Sequence, residues 1–169
     1  MFLENSSNFI FLDCYIYIGK KKNIKHMHFI AEAICVGLYT TLIYSAVSTL
    51  PVHDPKVLLF CVGCTKHFLG HYLGLHTYYC SNGDACLRQQ PTSLSNRISI
   101  TTFPNLVLES IAEGILFLLV GSALLHNRKH IGLVYFCIGF FLHTAFEFAG
   151  FHTLFCNTRC GQKQNLGES

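Results

Sequence analysis

Charge is what this sequence has least of. Only 12% of its 169 residues are Asp, Glu, Lys or Arg, against 51% hydrophobic. A soluble helical bundle needs polar outer faces, and stretches such as 115–125 and 131–142 offer almost none. There is no basic patch interleaved with aromatics, which argues against nucleic acid as a partner. A nucleotide-cradling glycine loop is missing, and so is a Ser/His/Asp arrangement. Low-complexity tracts are absent. Residues 1–22 do not read as a signal peptide, because Asp13 interrupts the apolar run 9–18 and the basic cluster follows it. They are expected to form an interfacial or disordered extension, with Met27 as an alternative start.

What the chain has in quantity is apolar length. Four segments, at about 24–49, 56–80, 104–126 and 131–156, reach the ~20 residues a helix needs to cross a bilayer. The expected class is all-α, a bundle of four transmembrane helices made of two tandem helical hairpins. The hairpins take residues 23–80 and 104–156, a polar linker takes 81–103, and a tail follows from 157 to 169. Short turns at 50–55 and 126–130 predict that each hairpin is a tight antiparallel pair, the two being related by a pseudo-twofold axis along the membrane normal. Eight Lys/Arg residues fall on the side of the termini and three on the other, which predicts cytoplasmic termini.

The hairpins share a sequence. Residues 57–80 align without a gap on 133–156 at an offset of 76, with eight identities: Phe60/Phe136, Cys61/Cys137, Gly63/Gly139, His67/His143, Gly74/Gly150, His76/His152, Thr77/Thr153 and Cys80/Cys156. His71 falls opposite Glu147, one metal-ligand type for another. The tripeptide IAE recurs at 30–32 and 111–113, offset 81, setting His28 opposite Glu109 and Glu32 opposite Glu113. Ionisable groups kept inside apolar segments are the clue to function.

Helical rise predicts how these groups group by depth. One layer would hold Glu32, His71, Glu113 and Glu147, and a shallower one His28, His76, Glu109 and His152. His67 and His143 would lie one turn deeper. The five-residue steps from His71 to His76 and from Glu147 to His152 turn about 140° on an ideal helix, which carries the last histidine off the shared face. Local unwinding at Gly74 and Gly150 would bring it back. Otherwise the two glycines read as close-packing positions, like Gly70. Lys66 is the only evident intramembrane cation, so buried carboxylates call for another counter-charge. Metal bound by Glu32, His67, His71, His76, Glu109, Glu113, His143, Glu147 and His152 is the economical choice. Carboxylate-rich ligation favours iron or manganese, with zinc as a variant. Inward-facing glutamates and histidines hold paired metals in helical bundles, so the likeness is one of architecture and composition.

The cysteines divide. Cys35, Cys61, Cys64 and Cys137 fall within spans and read as small apolar fillers. Cys80, Cys86, Cys156 and Cys160 gather at the helix ends on the side of the termini, where they would either bind zinc or form disulfides. The expected function is a membrane metalloenzyme, an oxidoreductase or hydrolase acting on a lipid-soluble substrate. Transport of a divalent cation or proton is the first alternative, and it calls for a homo-oligomer because four helices enclose only a thin-walled path. Haem electron transfer through His67 and His143 ranks below both.

Overall fold

The computed structural model describes residues 28–89, 97–124 and 130–162. The expected extension over 1–22, the expected helix start at 23, and the tail beyond 162 lie outside them. The elements run α1 (His28–Val47), α2 (Pro55–Tyr72), α3 (Leu75–Asn82), α4 (Asp84–Gln89), β1 (Arg97–Ser99), α5 (Phe103–Leu124), α6 (Ile131–Phe148), α7 (Phe151–Arg159) and β2 (Cys160–Gln162). The chain is mostly helical. By length and composition α1 from Phe29, α5 and α6 are each able to cross a membrane. α2, which holds Lys56 and Lys66, is not among these candidate spans, so among the described residues three rather than four of the expected spans are apolar and long enough.

Two of the long segments are shorter than expected because each is cut near its end. α2 closes at Tyr72 and α6 at Phe148, and Gly74 and Gly150 follow in the left-handed conformation, with φ of 75° and 77°. Only glycine adopts that backbone at little cost. A Cβ at either position would meet nothing within 4 Å, so conformation rather than close packing explains both residues. The start of α2 follows from local chemistry. The Asp54 side chain accepts the Lys56 N–H at 2.7 Å and Pro55 occupies the first turn, where its missing donor is harmless.

The long helices pack chiefly α1 on α6 and α2 on α5, with sparser contact between the two helices of each hairpin. That differs from the tight hairpins the short turns predict, and glycine decides it. Gly37 lies against the Phe136 ring, and a Cβ there would come within 2.8 Å of it. Gly114 stands in the same relation to Phe60, at 2.9 Å, and also touches Cys64. Gly139 receives Thr40, and Gly63 sits on the Gly114 backbone. Close backbone approach of this kind drives helix association where lipid is as apolar as the side chains.

The interior is divided along the helices. Tyr39, Ile43, Leu59, Val62, Phe117, Tyr135 and Ile138 form an apolar core in the half remote from the helix breaks, with Tyr44 stacked on Tyr135 at 4.1 Å between centroids. The polar side chains occupy the other half. Outward, α1 exposes Ile30, Ile34, Leu38 and Leu42 at four-residue spacing, and α5 exposes Leu108, Ile111, Ile115 and Leu119. Apolar stripes of this kind suit a lipid surround.

A compact cap closes the polar end. The expected linker supplies α4 and β1, and the expected tail supplies β2, which pairs antiparallel with β1 in the register Ser99 to Cys160. Disulfides join Cys80 to Cys160 and Cys86 to Cys156. Cys35 is also disulfide-bonded and so is not the apolar filler its position suggested. Cys61, Cys64 and Cys137 carry free thiols.

Candidate metal centre

The buried His and Glu residues gather in two clusters under the cap, not in one. In the first, α5 supplies Glu109 and Glu113, α2 supplies His67 and His71, and α3 supplies His76. The His67 and His76 rings lie 4.7 Å apart, and those of His71 and His76 5.6 Å. In the second, α1 supplies Glu32, α6 supplies His143 and Glu147, and α7 supplies His152, with the His143 and His152 rings 4.4 Å apart. The left-handed glycines make both clusters. By reversing the helical phase after Tyr72 and Phe148, they return His76 and His152 to the groups that a continuous helix would turn them from.

Partners also set the register of the two sequence segments. Glu32 faces His143 just as Glu109 faces His67, and Gly37 meets Phe136 just as Gly114 meets Phe60. Glu32 therefore corresponds to Glu109, at an offset of 77, and not to Glu113 at 81. The IAE recurrence is one helical turn out of step with the packing. Its depth layers are replaced by side-by-side clusters.

Within the first cluster, Glu113 binds Lys66 through Oε1, while its Oε2 lies 2.7 Å from His67 Nδ1. A carboxylate paired with an ammonium is acceptor-only, so His67 donates from Nδ1, and in the neutral ring Nε2 carries the lone pair. That Nε2 is buried without a hydrogen-bond partner and faces Glu109 Oε2, equally unpartnered, at 3.5 Å. His71 Nδ1 and His76 Nδ1 are buried and unpartnered too. Arg159 binds the other oxygen of Glu109.

The second cluster repeats the scheme with different residues. Arg88 binds Glu147, whose Oε2 accepts the His152 Nδ1–H at 2.9 Å. The Asp84 backbone N–H donates to Glu32 Oε1 at 3.0 Å. Glu32 Oε2 and His143 Nε2 are left facing each other without partners at 3.7 Å. Their side chains are only 5% and 9% exposed, so bulk solvent barely reaches them.

Separations of 3.5 and 3.7 Å are too long for a hydrogen bond, which runs 2.7–3.2 Å. They fit ligand atoms on one tetrahedral metal, where donors about 2.1 Å from the ion stand about 3.4 Å apart. The tautomers fit as well. A ligating histidine commonly donates its other N–H to a carboxylate, as His67 does to Glu113 and His152 to Glu147. In α3 and α7, outside the candidate spans, burial holds His76 down to about 3, with His67 and His71 adding to the effect, and burial followed by Lys66 holds His152 down to about 4. Both imidazoles are thus neutral near pH 7, the form that binds metal. Neither cluster brings three donor atoms mutually within 4.8 Å; among the described residues the trio that does so is Cys86, Cys156 and Cys160.

Lys66 is therefore not the only cation serving these carboxylates. Arg88 and Arg159, from the polar linker and the end of α7, neutralise Glu147 and Glu109. No sequence signal pointed to them, since a contact between a cap loop and a buried carboxylate leaves no periodic trace. Comparison with protein-family models, curated proteins and solved structures finds no match for this chain.

Proposed function

We propose that the chain is a multi-pass membrane protein of two tandem helical hairpins that binds a divalent metal ion at each of two His/Glu sites just inside one membrane face. The observation that carries the reading is the matched pair of buried, unpartnered contacts, His67 Nε2 to Glu109 Oε2 and His143 Nε2 to Glu32 Oε2. His71 and His76 complete the first ligand set, and His152 joins the second. Glu113 and Glu147 act one step back, orienting the histidines from which they accept. This differs from a single paired-metal centre, in that each ion has its own ligand set.

Nitrogen and oxygen donors without thiolate suit iron or manganese, and the tetrahedral spacing also suits zinc. We assign a metal-dependent oxidoreductase or hydrolase activity on a lipid-soluble substrate. A metal here would supply Lewis acidity or redox chemistry. The protein's own contribution is to hold neutral imidazoles in place, to keep the carboxylates charge-balanced through Lys66, Arg88 and Arg159, and to keep bulk water out. Access from lipid is supported by Tyr72, Leu73, Phe148 and Phe151, large exposed apolar side chains that flank both helix breaks beside the site residues.

Both clusters lie at the same end of the long helices, side by side, which favours fixed sites over a conducting stack. His67 and His143 each turn toward a glutamate rather than toward each other, which disfavours a shared haem. The test is elemental analysis of non-reduced, detergent-purified protein. Two ions per chain are expected, one in His67→Ala or His143→Ala, and none in the double variant. Metal content that is unchanged in all three variants would end the reading.

A further inference from the structure

The cap holds a second group of metal-ligating side chains that the His/Glu reading does not use. Cys80, Cys86 and Cys156 are buried, and Cys160 is half-buried beside them. They come from α3, α4, α7 and the start of β2, so each half of the sequence contributes two. Oxidised, they pair across the halves as Cys80–Cys160 and Cys86–Cys156. The two bridges are stacked. Cys86 Sγ lies 3.9 Å from Cys160 Sγ, and the sulfurs of Cys86, Cys156 and Cys160 all fall within 4.8 Å of one another.

That non-bonded spacing is the edge of a metal–thiolate tetrahedron. With zinc–sulfur bonds of about 2.3 Å, two thiolates on one zinc stand about 3.8 Å apart. The Lys/Arg bias read from the sequence predicts a cytoplasmic face at this end, where thiols are kept reduced.

We propose that Cys80, Cys86, Cys156 and Cys160, when reduced, form a four-thiolate zinc site that clamps the two halves of the cap, the two disulfides being its oxidised alternative. The chemistry balances. Each disulfide takes two electrons and two protons from a dithiol reductant, which becomes a disulfide itself, and the four thiols release four protons as Zn(II) binds. The metal then replaces the covalent links with a clamp joining the same segments.

The test is titration of the full-length protein in detergent with Co(II), before and after reduction by a dithiol. A thiolate-to-cobalt charge-transfer band is expected only after reduction, with an intensity corresponding to one thiolate-bound cobalt per chain, and zinc should displace the cobalt and abolish the band. Sulfur-specific absorption separates this site from the His/Glu clusters, so failure here would leave those untouched. The band should vanish in Cys86→Ser/Cys156→Ser and persist in Cys61→Ser/Cys64→Ser and in Cys35→Ser. In case the double variant does not fold, Cys156→His should retain one cobalt with a weaker band. Alkylation of the reduced wild type should modify four fewer thiols when zinc is present. A reduced protein that shows no such band, or equal alkylation with and without zinc, would overturn the proposal.

Discussion

Replacing Glu113 with glutamine separates a residue that orients a ligand from one that merely fills space. Its carboxylate takes the His67 Nδ1–H at 2.7 Å and pairs with Lys66, and the three side chains are between 12% and 17% exposed. Glutamine keeps the shape and an acceptor but loses the charge that fixes the tautomer and raises the basicity of Nε2. Losing such a partner costs a ligating histidine roughly 10–100-fold in metal affinity, or about 1.4–2.7 kcal/mol. A second cost falls on folding. The Lys66 ammonium is left shielded without its counter-ion, and breaking a pair of this kind costs about 3–5 kcal/mol. The two effects are separable. Lys66→Met/Glu113→Gln should recover most of the lost stability while affinity stays low, because the methionine removes the stranded charge and restores nothing to His67. The assay is competition of zinc against a chromogenic chelator in detergent, run beside thermal unfolding. Only the cluster of His67, His71, His76 and Glu109 should weaken. Unchanged affinity in Glu113→Gln, or equal weakening of both clusters, would refute the reasoning.

Other consequences are direct. Gly74→Ala places a side chain at φ 75° with nothing nearby to clash, so the penalty is backbone strain of about 1–2 kcal/mol. It should weaken metal binding at the His76 cluster alone, and Gly150→Ala at the His152 cluster alone; a titration showing neither effect would contradict the role given to the two breaks. Gly114→Leu forces bulk against Phe60 and Cys64, and overpacking there should cost about 1–3 kcal/mol in thermal unfolding, so a fully stable variant would mean that α2 and α5 do not approach so closely. Acid should destabilise the metal-free protein. His76 and His152 titrate near 3 and 4 when folded, so below the unfolded histidine value near 6.5 the unfolded chain binds more protons and stability falls as pH drops through that window. The slope should reach at most about 1.4 kcal/mol per pH unit for each histidine, measured by unfolding between roughly pH 6.5 and 4. A flat or rising profile on acidification would be the wrong sign.

Much of this was legible in the sequence because lipid makes polar residues conspicuous. His67, His143, His76 and His152 stand out by recurring at one offset, while the five-residue step across Gly74 and Gly150 left open whether the helix breaks there or carries the last histidine off the shared face. The register of α1 against α5 was not legible. Their exposed apolar residues, Ile30 to Leu42 and Leu108 to Leu119, carry no positional information, and IAE recurs one turn away from the correspondence the packing sets. What fixes that register is the fit of Phe136 to Gly37 and of Phe60 to Gly114, contacts between distant segments. Arg88 and Arg159 escaped notice for a related reason, as they reach the carboxylates from a cap whose path the composition does not encode. The cysteines announced a cluster, while their pairing depended on how α4 and α7 meet.

The most direct check of the central claim is X-ray absorption at the zinc edge of non-reduced, zinc-loaded protein. The two His/Glu sites predict a first shell of nitrogen and oxygen alone at about 2.0–2.2 Å with imidazole scattering behind it, lost in His67→Ala/His143→Ala. A sulfur shell at about 2.3 Å, or an oxygen-only shell indifferent to those substitutions, would contradict it.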